Sequence, residues 1–196
     1  MGNASATKFI ILEKAFELIY EKGYQATSID DIIAKTRVTK GAFFYNFKNK
    51  EQMGLALIND FMAPNTYRLF VEPLIEAKDP VKDIYRLMHN ILLENDSFRI
   101  ECGCPVHNLI QEMGAINGGF NKALFKNIEM ARNALVGCME RGIKNKNLRK
   151  DVDPEVVAQF IITGYAGIRN IGKLYKDKSC YKTHLTGLKK YLEGLK

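Results

Sequence analysis

The chain has 196 residues, of which 46% are hydrophobic and 26% charged, with a formal net charge of +7 at pH 7. This composition excludes a disordered chain, because it supplies enough apolar side chains for a core. No apolar run approaches the roughly 18 residues of a transmembrane helix, so we expect no membrane span. The four cysteines are few and unevenly spaced, which favours free thiols in a reducing cytoplasm over a disulfide framework.

The first predicted helices are closely spaced. Apolar residues at helical spacing predict a helix from about Thr7 to a C-capping Gly23. A second, short helix begins at Thr27 or Ser28, since either hydroxyl can cap it, and acidic residues occupy its first turn. A third begins after the N-cap Thr39.

The rest of the chain also has helical periodicity. A fourth helix begins near Asn49, and we expect Pro64 to kink or end it. Further helices are predicted after Asp79-Pro80, after Pro105, over residues 120–141, from Asp153-Pro154 and over residues 181–195. No alternating strand pattern competes, so the predicted fold class is all-α.

Two short helices joined by a tight turn predict a helix-turn-helix near the N-terminus. Residues 35–50 contain five cations and no acid, and cations and helix N-termini are what DNA phosphates require. The third helix has Gly41 and Ala42 near its start, which would let it approach the floor of the major groove. Phe43 and Phe47 are expected to point into the small core.

The run KAFELIYEKGYQATSIDDIIAKTRVTKGAFFYNFKNKEQM resembles the DNA-binding region of the tetracycline-repressor (TetR) family. The resemblance covers residues 8 to 60 and implies an N-terminal three-helix DNA-binding domain, residues 1–50, and a helical ligand-binding and dimerisation domain, residues 51–196. It implies a homodimeric transcriptional regulator, with a repressor that a small molecule releases from a double-stranded DNA operator as the leading interpretation. No catalytic activity, cofactor or metal is expected.

The resemblance also implies which side chains contact DNA. Either Thr27 or Ser28 would bind a phosphate from the N-terminus of the second helix, and Lys50 would bind one at the start of the fourth. The full set of expected DNA-binding residues is Thr27, Ser28, Arg37, Thr39, Lys40, Ala42, Phe44, Tyr45, Asn46 and Lys50.

Three positions depart from the family pattern. Phe44 replaces a common tyrosine and so lacks a phosphate-binding hydroxyl. Asn46 replaces a common histidine, and an asparagine can contact adenine in a bidentate way. Arg37 replaces a common glycine, and a positive φ at this position would cost on the order of 1 kcal/mol. These departures affect the operator sequence rather than DNA binding itself.

The segment Glu101–His107 is open to three interpretations. Its cysteines are small buried residues at a helix start, or Cys104 or Cys102 is a reactive thiol sensor, or Cys102, Cys104 and His107 form a metal site that lacks a fourth ligand. A catalytic pair of Cys104 and His107 is a further alternative, although no carboxylate is placed to orient the histidine.

A small-molecule pocket is expected within the second domain. Methionine and aromatic residues suit a flexible apolar ligand, although ordinary core packing is the alternative for each. The expected ligand-binding residues are Met62, Tyr67, Phe70, Tyr85, Met88, His89, Cys104, His107, Phe125 and Tyr165.

Small residues on the helix from Asp153 predict close helix approach at a dimer interface, with intramolecular packing as the alternative. The expected contributors are Gly164, Ala166, Gly167 and Gly172, together with Tyr181, Leu185, Leu188, Leu192 and Leu195 of the last helix. The sign of regulation stays open between repressor and activator. A helical adaptor that binds acidic proteins through a basic face is the remaining alternative.

Overall fold

The computed structural model describes residues 3–196, and every regular element in that range is a helix. The predicted all-α fold class is therefore confirmed. None of the helices in this range is long and apolar enough to cross a membrane.

Local signals place the first four helices, which are α1 (Asn3–Lys22), α2 (Ile29–Thr36), α3 (Lys40–Asn46) and α4 (Lys50–Ala56). Gly23 follows α1 with a φ of 92°, as expected of a glycine C-cap. Helix α1 begins at Asn3, before the predicted Thr7, because the sequence ahead of Thr7 has no apolar period that could mark the helix start.

Pro64 was expected either to end or to kink the fourth helix. It does not end the helix. Helix α4 continues as a wider π-helical segment, Leu57–Met62, then as α5 (Ala63–Thr66), a second π-helical segment, Tyr67–Val71, and α6 (Glu72–Ile75). The Ala63 N–H donates to the Ile58 carbonyl, five residues back. We attribute the tolerance of Pro64 to this shifted hydrogen-bond pattern, because proline removes a donor from a regular α-helix.

The later helices agree closely with the predicted ones. They are α7 (Pro80–His89), continued by a π-helical segment over Asn90–Glu94, then α8 (Pro105–Met113), α9 (Gly118–Lys144), α10 (Pro154–Ile171), continued by a 3-10 turn over Gly172–Leu174, and α11 (Ser179–Glu193). Asp79 and Asp153 cap α7 and α10, each with a proline at the first helical position.

The chain folds into two compact units. The head unit comprises the chain up to Asn65 together with Pro105–Asn127, and the second unit comprises Thr66–Cys104 and Ile128–Lys196. In the head unit, α1, α2 and α3 pack around buried Ile11, Ile32 and Phe43. In the second unit, α11 packs against α7 and α10.

Helix α8 and the start of α9 thus belong to the same compact unit as α1–α4. The predicted boundary at residue 50 separates a DNA-binding domain from a ligand-binding domain. This boundary stays a prediction.

Candidate nucleic-acid interface and effector residues

Helix α3 is anchored on one side and open on the other. Its N-cap Thr39 accepts a hydrogen bond from the Ala42 N–H at 3.2 Å, as expected. Phe43 and Phe47 are 0% and 2% exposed and anchor the helix in the head core. Tyr45 is 80% exposed. A short helix held in this way can present its outer face to a groove without unfolding.

The N-terminus of α2 is closed by a capping box. The Asp31 N–H donates to Ser28 Oγ at 3.0 Å, and the Ser28 N–H donates to the Asp31 carboxylate at 2.8 Å. The hydrogen bonds from Ser28 lower the pKa of Asp31. Ser28 is therefore the capping residue of the two alternatives. Thr27 is fully buried, and its hydroxyl donates to the Gly23 carbonyl at 2.8 Å, so its side chain is engaged within the head.

The three departures from the family pattern have distinct surroundings. Arg37 adopts the left-handed conformation, with a φ of 59°, so the positive φ is confirmed. Phe44 is 43% exposed. The Asn46 amide donates to the Ala42 carbonyl at 2.8 Å. This bond uses one of the two amide N–H groups, which leaves the other N–H and Oδ1 for a bidentate contact with adenine. That contact stays a prediction.

Two lysines near this face have intramolecular partners. Lys40 lies 3.3 Å from the Asp30 carboxylate, in an exposed ion pair that costs little to separate. Lys50 donates to the Gln25 carbonyl at 3.3 Å, and its ammonium lies 4.4 Å from the centre of the Tyr24 ring. Burial lowers the pKa of Lys50. The turn between α1 and α2 therefore orients this predicted phosphate ligand.

Sequence reasoning missed the contribution of α8 to this region. The Glu112 carboxylate accepts hydrogen bonds from the backbone N–H groups of Tyr24 and Gln25, at 3.1 and 3.0 Å. No local pattern announces this contact, because its partners lie 88 and 87 positions apart in sequence.

The predicted effector residues differ in burial. Tyr67 and Phe125 are exposed, at 42% and 65%. Phe70, Tyr85, His89 and His107 are half-buried, and Met62, Met88, Cys104 and Tyr165 are buried. The rings of Phe70 and Tyr165 pack edge to face with centroids 5.4 Å apart. Ligand binding by these residues stays a prediction.

The second unit also has a surface groove that sequence reasoning did not predict. Its volume is about 570 Å³, and Arg68, Leu69, Arg86, Leu87 and Asn90 are among the residues that line it. None of the predicted effector residues lines this groove.

The cysteine segment before α8 is held by a buried cation. Arg169 is 0% exposed; its guanidinium donates to the carbonyls of Phe98, Arg99 and Gly103 and, at 3.0 Å, to the Tyr181 hydroxyl. All four cysteines are thiols rather than disulfides. No group of histidine, cysteine and acidic residues suited to a metal ion occurs within residues 3–196.

The prediction that the apolar stripe of the last helix forms a dimer contact surface is wrong for most of its residues; only Leu188 also lines a surface groove. Tyr181, Leu185, Leu188, Leu192 and Leu195 are each at most 8% exposed within one protomer, because this apolar stripe packs inside the chain.

Exposed apolar side chains occur instead on α10, next to a groove that α10 and α11 line together. Val156 and Phe160 are 61% and 52% exposed. A groove of about 310 Å³ is lined by residues that include Phe160, Gly164, His184 and Tyr191.

The sequence matches two family models. Residues 11–57 match "Bacterial regulatory proteins, tetR family", and residues 81–188 match "Tetracyclin repressor-like, C-terminal domain".

Curated relatives agree with these models. The chain is 31% identical to the transcriptional regulator AcuR of Cereibacter sphaeroides over 84% of this chain and 75% of AcuR. It is 25% identical to the HTH-type transcriptional repressor DhaR of Mycobacterium sp. (strain GP1), over 80% and 77% of the two chains. An uncharacterised HTH-type transcriptional regulator of Lactococcus lactis is 34% identical over 62% of each chain.

Crystal structures show the same fold. A TetR transcriptional regulator from Chloroflexus aurantiacus superposes with a TM-score of 0.87 at 25% identity, over 98% of this chain and 97% of that one. The regulatory protein TetR from Rhodobacter sphaeroides gives 0.83 at 25% identity, over 93% and 97%. With both family models matched, this chain belongs to the tetR family of DNA-binding, dimeric transcriptional regulators, whose C-terminal domain binds ligands.

Proposed function

We propose that this protein is a cytoplasmic repressor that binds a double-stranded DNA operator as a homodimer and leaves it when a small molecule binds residues 51–196. Three features support the proposal: the family membership, the name of the repressor DhaR among the relatives, and the geometry of α3. The carrying observation is that α3 is anchored by Phe43 and Phe47 while Tyr45 stands 80% exposed.

In this proposal the helix N-termini and cations of the head unit bind phosphates, and the outer face of α3 contacts base edges. Ser28 and Lys50 bind the DNA backbone. Lys40, Phe44 and Tyr45 lie on or near the bases. Two copies of α3 in a dimer would lie about 34–36 Å apart, which is one turn of DNA.

We assign the dimer contact to the exposed side of α10 and the adjoining groove. Phe160 and Tyr191 form a ring pair there, with centroids 4.4 Å apart. A Cβ added at Gly167 would find open space within 4 Å, so a second helix can approach closely. Light scattering is expected to show a dimer, and Phe160→Glu is expected to give monomers.

The DNA-binding proposal is tested by selecting a duplex from a random pool with the wild-type protein, then measuring its affinity by fluorescence polarisation. We expect affinity to fall steeply with salt, because each phosphate contact releases counterions. Tyr45→Ala and Lys40→Ala are expected to weaken specific binding about tenfold each, whereas the matched surface variant Lys189→Ala leaves it unchanged. Weak binding without sequence preference would favour the adaptor alternative.

A thiol-sensing regulator is a second candidate, because two cations adjoin the cysteine segment. Besides the buried Arg169, the Lys173 side chain packs against Gly103, where an added Cβ would overlap it. Neighbouring cations favour the thiolate form of a cysteine. Treatment with N-ethylmaleimide is expected to release DNA from the wild type but not from the Cys102→Ser, Cys104→Ser double variant. Release from both, or from neither, contradicts this candidate.

A further inference from the structure

Glu112 connects the segment after the cysteines to the DNA-binding helices within the head unit. Each of its carboxylate oxygens accepts one backbone N–H of the α1–α2 turn, from Tyr24 at 3.1 Å and from Gln25 at 3.0 Å. Gly23 makes room for this contact, since a Cβ there would lie 2.9 Å from Glu112 Oε1. Its φ of 92° also disfavours any other residue.

The same turn positions two predicted phosphate ligands. Gln25 takes part in two of these contacts. Its carbonyl accepts a hydrogen bond from the Lys50 ammonium at 3.3 Å, and its N–H donates to Glu112. The Tyr24 ring lies 4.4 Å below that ammonium. The turn then leads through the buried Thr27 to Ser28, the N-cap of α2. Movement of the turn would therefore displace both Lys50 and the N-terminus of α2.

Two neighbouring contacts support this arrangement. Asn117 donates to the Glu51 carboxylate at 2.7 Å. The rings of Phe120 and Tyr24 meet edge to face with centroids 4.9 Å apart. Burial lowers the pKa of Lys50, and the nearby carboxylates of Glu112 and Asp31 counteract that lowering. Of these two carboxylates, Glu112 is the one that also binds the backbone of the turn.

We infer that Glu112 is a positioning residue for operator binding, which holds the α1–α2 turn so that Lys50 and Ser28 meet the DNA backbone. This inference rests on the proposed function, because it requires phosphate contacts at those two residues. In this role Glu112 acts through the turn and needs no contact of its own with DNA. If its negative charge mattered more than its hold on the turn, the Glu112 carboxylate would instead weaken DNA binding by repelling phosphates.

Positioning by Glu112 and repulsion by its charge predict opposite changes in DNA affinity for Glu112→Ala. If position dominates, the variant binds the selected duplex about tenfold more weakly, because it loses two hydrogen bonds to a charged group. The slope of log affinity against log salt then becomes shallower by about 0.9, which is the contribution of one phosphate contact. If charge dominates, the variant binds more tightly.

The experiment compares wild type, Glu112→Ala, Glu112→Gln and the adjacent exposed control Gln111→Ala, each alone and with Lys50→Ala. Polarisation is measured on the selected duplex and on a scrambled one, after circular dichroism confirms folding. We expect Glu112→Gln to lie between wild type and Glu112→Ala, because its amide keeps one acceptor oxygen. The Glu112→Ala loss is expected to shrink when Lys50 is already absent. Gln111→Ala is expected to bind like the wild type.

Outcomes separate the two levels of the proposal. If the wild-type protein enriches no sequence, the proposed function fails and the inference fails with it. If it enriches one and Glu112→Ala binds that duplex as tightly as the wild type or more tightly, only the role of Glu112 is refuted. Because phosphate contacts do not depend on sequence, we expect a similar loss on the scrambled duplex. An unchanged salt slope, or an undiminished loss in the Lys50→Ala background, also refutes the role of Glu112. Should Glu112→Ala not fold, Glu112→Gln decides by the same criteria.

Discussion

The helix-turn-helix and the second unit are each stabilised by contacts of a different sequence separation. In the helix-turn-helix, the bonds that place α2 and α3 join residues three apart, Ser28 with Asp31 and Thr39 with Ala42. In the second unit, Arg169 bonds carbonyls 66 to 71 residues away. Short-range caps can be inferred from a sequence, whereas the partners of a buried arginine appear only once the chain has folded.

The largest expected effect tests the long-range side of this contrast. Arg169→Met is expected to lower the free energy of unfolding by about 3 kcal/mol or more, because buried carbonyls and the Tyr181 hydroxyl lose a charged donor. Urea denaturation measures the change. The control Arg86→Met breaks an exposed pair with Asp83 and is expected to cost less than about 1 kcal/mol. Equal effects would contradict the special role of Arg169.

A smaller effect is expected from a local cap in the head. Thr39→Ala removes the acceptor for the Ala42 N–H and is expected to lower the free energy of unfolding by about 1 kcal/mol. Thermal unfolding measures this loss, and Thr39→Ser, which keeps the hydroxyl, serves as the control. A serine variant as unstable as the alanine variant would show that the cap is not the cause.

Unlike Thr39→Ala, Arg37→Gly is expected to stabilise the protein. Because Arg37 has a φ of 59°, glycine is expected to raise the free energy of unfolding by up to about 1 kcal/mol. The same substitution at Lys35, inside α2, is expected to destabilise by about 1 kcal/mol. A stability loss in Arg37→Gly, measured by thermal unfolding, would show that the arginine side chain outweighs its backbone strain.

The smallest effect concerns His184, which is half-buried in the groove beside α10, where burial lowers its pKa. Above about pH 6.5 the imidazole is neutral in both the folded and unfolded states. Below that pH the unfolded chain binds the proton first, so the fold loses stability until the lowered pKa is reached. His184→Gln is expected to reduce the fall in melting temperature between pH 7.5 and 5.5. An unchanged fall would contradict this assignment.

Most of the helices could be predicted because their ends carry their own signals. Gly23, Asp79 and Asp153 occupy the predicted cap positions. Pro64 misled the prediction, because the shift to π-helical hydrogen bonds depends on surroundings that no local pattern encodes.

The candidate sites divide in the same way. The outer face of α3 follows from a short, ordered motif, and Tyr45 is exposed as its position suggested. The apolar stripe of α11 fits a dimer seam and an internal core equally well by periodicity, and the structure assigns it to the core.

The assignment of Pro105–Asn127 to the head unit has a consequence for synthesis on the ribosome. Residues up to Asn65 emerge without Glu112 and Phe120, which later contact Tyr24. At bacterial elongation rates, the 62 residues between Asn65 and Asn127 take roughly 3 to 12 s to translate. A nascent chain stalled before Glu112 keeps the contacts of Thr27 and Lys50 with the α1–α2 turn but lacks those of Glu112 and Phe120. Under the proposed function, we expect such a chain to bind DNA more weakly than the finished protein.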